Sequence, residues 1–242
     1  MNASRIVNGS RVVFWNVDTQ YDFMRNDESF QGSLAIPGAR EIEGNLERLT
    51  KLANAMLIMV VNTADWHNEQ TKEISDTPDF KTTFPKHCMQ RTKGADYIPA
   101  TAPRGMTCVV DWQTKADYEK LKRNLFHLEI CDVTLGGDEI ENIILYKDHF
   151  DIFQGNQNAD NVVKILNPEI AVVYGVATNV CVNYAVLGLL KRGVKVYVPT
   201  DAIKELPGLP LEEVLDNWKE KGAVLIKVDG VRNIINGLRE SR

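Results

Sequence analysis

Ile170-Ala-Val-Val-Tyr-Gly175-Val-Ala177-Thr-Asn-Val-Cys181-Val-Asn-Tyr-Ala-Val-Leu-Gly-Leu-Leu-Lys-Arg192 carries the fold in one stretch. Its first part is an apolar, β-branched run without polar alternation, the pattern of a strand covered on both faces in a parallel sheet. Its second part, Val180–Arg192, is apolar almost all round until its last turn, which marks a buried helix. A strand that feeds directly into a helix is half of a βαβ unit. Cys181 stands at the junction. With Thr178 or Asn179 as N-cap it falls in the first helical turn, facing unpaired N–H groups and the positive end of the helix dipole, both of which lower a thiol pKa. A lone cysteine is ordinarily a small buried hydrophobe, so a chemical role depends on partners elsewhere.

Working outward, five further runs have strand character: Arg11–Val17, Ala55–Asn62, Asn142–Lys147, Lys195–Pro199 and Ala223–Val228, beside Ile170–Gly175. Helical patterns lie at Ala39–Asn54, Ala116–Leu128, Asn158–Leu166, Leu211–Lys221 and Val231–Glu240, with Gly193, Gly222 and Gly237 read as helix stops. Alternating β and α elements predict a three-layer α/β/α domain, Rossmann-like, around a six-stranded, mostly parallel, doubly wound sheet. A single domain over residues 1–242 is expected, since no linker-like stretch divides it. The interval 68–141 stands apart as a long loop or insert region; Asn68–Gly105 is polar, contains Pro78, Pro85, Pro99 and Pro103, and shows no period.

The 242 residues are 44% hydrophobic and 25% charged, enough to build one large core. A net charge of -5 leaves no basic stripe for phosphates, so a nucleic-acid binder is not expected. No apolar run approaches membrane-spanning length, and Met1–Val7 lacks a signal-peptide core. Cys88, Cys108, Cys131 and Cys181 show no CxxC spacing, which suits free thiols in a reducing cytoplasm rather than a disulfide scaffold.

In open parallel sheets ligands bind beyond the carboxyl ends of the strands. The polar residues at those ends are Asp18, Asp65, His67, Lys147 and Cys181. Asp18 is placed to accept a thiol proton, and Lys147 to stabilise the thiolate and developing charge. Taken singly, an Asp after a strand is often a turn residue and most lysines are solvated; convergence on one sheet edge raises both. Asp65 and His67, two residues apart, share a face in extended chain. His87 follows in the proline-rich loop, and a carboxylate with two imidazoles is a divalent-metal set. Glu73 or Asp76, between the two histidines, is a candidate fourth ligand.

Val17-Asp18-Thr-Gln20-Tyr-Asp-Phe23-Met24, Ala64-Asp65-Trp-His67, Phe84-Pro-Lys-His87-Cys-Met-Gln-Arg-Thr-Lys-Gly-Ala95, Lys147, Gly175-Val-Ala-Thr-Asn-Val-Cys181-Val and Asp201-Ala occur in that order. Together they resemble the isochorismatase-like cysteine hydrolases, and within them the nicotinamidases. The resemblance runs from about Val12 to the last expected strand. It implies hydrolysis of a small carboxamide, nicotinamide foremost, by Cys181 as nucleophile, Asp18 as base and Lys147. It further implies a cis peptide before Ala177, an oxyanion hole from the Ala177 and Cys181 amides, and one divalent metal on Asp65, His67 and His87: zinc first, iron or manganese as alternatives. Phe23, Phe84 and Gln20 would contact the substrate. Gly175 is expected to permit close approach of backbone to ligand. A homo-oligomer is the family habit, and the small amide is the only other partner expected.

Departures are visible too. Phe84 stands where many nicotinamidases carry Trp, Asn16 where an apolar strand residue is usual, and Pro103–Glu141 is longer than in compact members. Two other readings within the resembled superfamily compete: another amidase acting on a carbamoyl or ureido group, and a vinyl-ether hydrolase, which typically lacks the cysteine. A third, a non-catalytic binding module, would be expected to lose Asp18, Lys147 or Cys181.

Overall fold

A computed structural model describes residues 6–7, 10–126 and 141–240. The six expected strands are present, and the order across the sheet is Val224–Ile226, Lys195–Pro199, Ile170–Val176, Ser10–Val17, Met59–Asp65, Asn142–Lys147 and Thr107–Val110. Each neighbouring pair in that order is parallel. The count differs from expectation because the sheet has nine strands among the described residues: the two-residue Ile6–Val7 and Ile203–Lys204 pair with Ser10–Val17 and Ile170–Val176, and Thr107–Val110 joins at the edge, inside the segment read as an insert. It is four residues long, follows Pro103 and Gly105, and leaves Val109 exposed, so it lacks the apolar run that marks a central strand.

Side chains alternate across the sheet, so consecutive residues feed opposite cores. Phe14, Val60 and Val172 face Leu46, Leu49 and Ile235 of the helices Glu43–Met56 and Val228–Glu240. Trp15, Val61 and Val173 face Val182, Val186 and Trp218 of Cys181–Lys191 and Leu211–Glu220, with Ala159–Leu166 and Tyr118–Phe126 on the same side. Helices on both faces give the three layers. Ser10–Val17 pairs with Met59–Asp65 on one side and Ile170–Val176 on the other. The winding direction reverses there, and a crevice opens beyond the carboxyl ends.

Several boundaries shift for local reasons. The expected helix Ala39–Asn54 is a 3-10 turn, Ala39–Ile42, followed by Glu43–Met56. Leu52 and Ala53 continue its buried stripe, and Leu57, at φ 55, closes it by donating to Ala53 and Asn54 carbonyls. The next strand therefore starts at Met59 rather than Ala55. Val224–Ile226 ends early because Val228 begins the last helix, its N–H bound to Asp201 Oδ1 at 2.9 Å. Gly193 (φ 77) and Gly222 (φ 97) do end helices, but Gly237 lies inside Val228–Glu240. The expected helix Ala116–Leu128 starts at Tyr118; its final two residues, His127 and Leu128, lie outside the described residues, as does Cys131.

Asn16, the polar residue in a central strand, is buried and satisfied: its Nδ2 donates to Asn62 Oδ1 at 2.9 Å, and Thr19 Oγ1 donates to its Oδ1 at 3.1 Å. The loop from Asn68 onward is tied to itself and to the sheet: Phe84 N–H donates to Glu73 O at 2.7 Å, and His67 N–H to Cys88 O at 3.1 Å.

Candidate active site

Asp18 directly follows its strand at φ 48, its N–H bound to Thr63 O at 3.2 Å and its Oδ1 accepting from Thr63 Oγ1 at 2.6 Å. Lys147 and Asp65 are the last residues of adjacent strands and face each other in register. That register brings one buried ammonium to three groups. Lys147 Nζ lies 3.0 Å from Asp18 Oδ2 and 3.7 Å from Cys181 Sγ, and donates to Asp65 Oδ1. Oxygens of Asp18 and Asp65 and the Cys181 sulfur all lie within 4.8 Å of one another. The three residues expected to form a triad are thus brought together at the crevice.

Burial alone would lower the Lys147 pKa, but Asp18 and Asp65 outweigh it and hold it well above the usual lysine value. Burial would raise Asp65; Lys147 and the two histidines hold it well below the carboxylate range. Asp18 is raised from its ordinary value, because burial and the neighbouring Asp65 outweigh Lys147. The Cys181 thiol is pushed well up by burial, with Asp18 and Asp65 adding to it and Lys147 opposing. This corrects the expectation of a lowered thiol pKa. The helix begins at Cys181 itself, capped by Val180 without a side-chain bond, and a helix end contributes only about 0.3–1 kcal/mol. Neither Thr178 nor Asn179 is the cap; the Asn179 amide holds the Leu206 backbone, accepting from its N–H at 2.9 Å and donating to its carbonyl at 2.8 Å. A thiol beside a carboxylate of raised pKa is an arrangement in which that carboxylate can accept the sulfur's proton.

Asp65, His67, Glu73 and His87 are all buried, each offering a ligand atom within 4.8 Å of the others. Asp65 Oδ2 lies 3.6 Å from Nε2 of both histidines, and Glu73 Oε1 lies 4.0 Å from His87 Nε2. These separations exceed hydrogen bonds but suit donors around a shared ion. His87 Nδ1 is 2.7 Å from Pro85 O, an acceptor only, so that nitrogen carries the proton and Nε2 offers its lone pair to the cluster. Both ring nitrogens of His67 and Oε2 of Glu73 are buried without a hydrogen-bond partner among the described residues. Burial and Asp65 push Glu73 up to about 8, so it takes a proton unless a cation sits beside it. Orphaned buried donors of this kind fit a divalent metal ion. Of the two candidate fourth donors, Glu73 joins the cluster, whereas Asp76 is exposed and outside it.

An apolar cavity lies between these groups. Asp65, Glu73 and His87 line one side, Ala177 and Cys181 another, and Phe23, Phe84, Leu34, Ile36, Phe150 and Leu206 supply walls. Phe23 and Phe84 rings lie 5.5 Å and 6.1 Å from the His87 ring. The Val176–Ala177 bond is cis. Two expectations fail here. Gln20 does not face the cavity: its Oε1 accepts from Asp65 N at 2.8 Å and its Nε2 donates to the Asp65 and Ala95 carbonyls at 2.8 and 2.9 Å, so it is a strut for Asp65. Gly175, at φ 121, permits close approach not to a ligand but to the backbone of Val17, into which a Cβ would collide. Thr63, Phe150 and Leu206 escaped sequence reading. Thr63, two before Asp65 on the same strand face, had a signal in strand alternation; Phe150 and Leu206 sit in loops with none.

Residues 132–229 match the isochorismatase domain family. A nicotinamidase/pyrazinamidase of Mycobacterium tuberculosis is 35% identical over 88 residues, 35% of this chain and 42% of the relative, so the matched stretch spans under half of that protein. Among solved structures, a pyrazinamidase of Pyrococcus horikoshii in complex with zinc superposes with a TM-score of 0.62 at 22% identity, covering 89% of this chain and 98% of that one. An N-carbamoylsarcosine amidase from Thermoplasma acidophilum gives a TM-score of 0.61 at 18% identity, covering 90% and 96%. The nicotinamidase/pyrazinamidase of Bacillus subtilis gives 0.63 at 19%, covering 89% and 99%. At these identities the superpositions establish the fold. Part of the chain, residues 132–229, is thus similar to the isochorismatase domain family, and the chain has the isochorismatase-like fold.

Proposed function

We propose that this chain is an amidohydrolase that cleaves a small, uncharged aromatic carboxamide through a thioester on Cys181, with nicotinamide giving nicotinate and ammonia. The observation that supports the reading is the convergence of Asp18 and Lys147 on Cys181, which lines an apolar cavity that Asp65, Glu73 and His87 of the donor cluster also line. Among the described residues no Arg or Lys lines that cavity, and Lys147 is committed to Asp18 and Asp65. A carbamoyl or ureido substrate bearing a carboxylate would find no counter-charge, whereas a neutral ring between Phe23 and Phe84 buries apolar surface at no such cost.

In the reaction, Asp18 takes the Cys181 proton as sulfur attacks the amide carbon. The C–S bond forms, and the carbonyl oxygen becomes an oxyanion received by the Ala177 and Cys181 N–H groups. Lys147 stays charged and offsets the negative charge on sulfur as it develops. The C–N bond breaks as Asp18 returns its proton to the leaving nitrogen, releasing ammonia. Water then gives a proton to Asp18 and its oxygen to the acyl carbon; the C–S bond breaks and the proton returns to sulfur. A divalent metal held by Asp65, His67, Glu73 and His87, zinc before iron or manganese, would supply a Lewis-acid contact for the ring nitrogen and so orient the substrate. The test is ammonia release from a panel of nicotinamide, pyrazinamide, benzamide and carbamoyl amino acids. Nicotinamide and pyrazinamide should be turned over and the carbamoyl acids refused; the reverse preference would contradict the reading.

A further inference from the structure

The motif Asp18-x-Gln20-x-Asp22-Phe23 gives Asp18, Gln20 and Phe23 a place, and leaves Asp22 without one. Asp22 is 4% exposed, and the nearby Arg25 guanidinium is turned to Glu43 at 2.6 Å. Its carboxylate is instead held by main chain from two remote loops. Oδ1 accepts from Ser33 N–H at 3.0 Å, and Oδ2 from Cys88 N–H at 2.6 Å. The 3-10 turn Lys93–Ala95, just after Cys88, closes over it: a Cβ on Gly94 would collide with the same carboxylate. Cys88 adopts φ 43, unusual for a residue with a side chain, while presenting its N–H to Asp22. Charge-assisted bonds to a buried carboxylate are among the stronger ones, and losing the acceptor strands two N–H groups.

Each anchored residue adjoins one that lines the cavity. Ser33 precedes Leu34, Cys88 follows His87, and Asp22 itself precedes Phe23. We propose that Asp22 is a positioning residue whose carboxylate, by clamping the Ser33 and Cys88 amides together, sets the apolar wall at Leu34 and Phe23 against the His87 side of the site. The proposal rests on the amidase reading for its kinetic consequence only. Asp22 touches neither substrate nor reacting atoms, so its loss should loosen ring binding and the donor cluster while leaving the Asp18–Cys181 chemistry in place.

The test uses the full chain with Asp22→Asn, which keeps the shape but turns an amide NH2 toward one of the two N–H donors. Gly94→Ala serves as a second variant, displacing the carboxylate from the other side without removing it. Three readouts are taken: Zn2+ affinity by calorimetry, KM against kcat for nicotinamide, and native-state alkylation of Cys88 followed by peptide mapping in a Cys181→Ser background. Cys88 is fully buried, so its labelling reports opening of the His87 loop without reference to metal or substrate. Both variants should keep a native circular-dichroism spectrum, lose about tenfold in Zn2+ affinity, raise KM with little change in kcat, and label Cys88 faster. Unchanged Zn2+ affinity, KM and Cys88 protection would overturn the proposal. So would a loss confined to kcat, or failure of both variants to fold. If the wild-type chain neither binds Zn2+ nor hydrolyses nicotinamide, the amidase reading falls, and Cys88 labelling still decides the clamp.

Discussion

Thr63 Oγ1 donates a 2.6 Å hydrogen bond to Asp18 Oδ1, and both residues are buried. The bond favours the ionised carboxylate, the form that would accept the Cys181 proton in the proposed reaction. Burial is the largest influence on Asp18 and raises its pKa, Asp65 adds to the rise, and Lys147 and Thr63 oppose it. Thr63→Val keeps the volume and removes the donor. The base is then harder to ionise, so the acid limb of the kcat/KM profile should move to higher pH while the high-pH plateau is largely kept. A pH–rate profile checks this; an unmoved acid limb would remove Asp18 as the group that limits activity at low pH.

Lys147 is 1% exposed and neutralises two buried carboxylates. Lys147→Met would leave Asp18 and Asp65 facing each other without a cation. Removing one partner of a buried ionic group costs about 3–5 kcal/mol, so the variant should show a clearly lowered urea midpoint as well as lost turnover. Asp18→Asn, which leaves Lys147 paired with Asp65, should lose roughly 10²–10⁴-fold in rate with a much smaller stability change. Equal stability of the two variants would contradict the charge arrangement.

Glu73 and Asp76 lie three residues apart, one in the donor cluster and one in solvent. Altering groups that merely support metal ligands costs roughly 10–100-fold in affinity, so Glu73→Gln should weaken Zn2+ binding by at least about tenfold. Asp76→Asn should leave it unchanged. Isothermal titration of both variants decides the matter, and chelation of the wild type should raise KM for nicotinamide more than it lowers kcat.

Gly175 pairs with Val17 in register, and a Cβ there would strike the Val17 backbone at a φ of 121. Gly175→Ala should therefore destabilise the two central strands by more than about 1–3 kcal/mol and displace Asp18, the next residue along. Thermal unfolding and nicotinamide turnover should both fall; a variant with native stability would show that the strands part easily.

The central strands were legible because residues buried on both faces leave continuous apolar runs, and the site residues because doubly wound sheets gather strand ends. What sequence could not carry was burial and direction. Asp76 and Glu73 read alike until one is found in solvent. Gln20 looked like a ligand contact, yet its amide is spent on Asp65 and Ala95. The helix-end argument for Cys181 was sound in sign but small beside desolvation, so the thiol is raised rather than lowered. Thr107–Val110 was missed because an edge strand of four residues needs only one apolar partner, Asn142–Lys147.

In the proposed reaction Cys181 carries the acyl group. Rapid acid quench of the wild-type chain with nicotinamide during turnover, followed by proteolysis and mass spectrometry, should find one nicotinoyl group on the peptide containing Cys181 and none on the corresponding peptide of Cys181→Ala, which should fold and not turn over. Nicotinate production by Cys181→Ala at the wild-type rate, or steady turnover by the wild type with the acyl group on another residue, would contradict it.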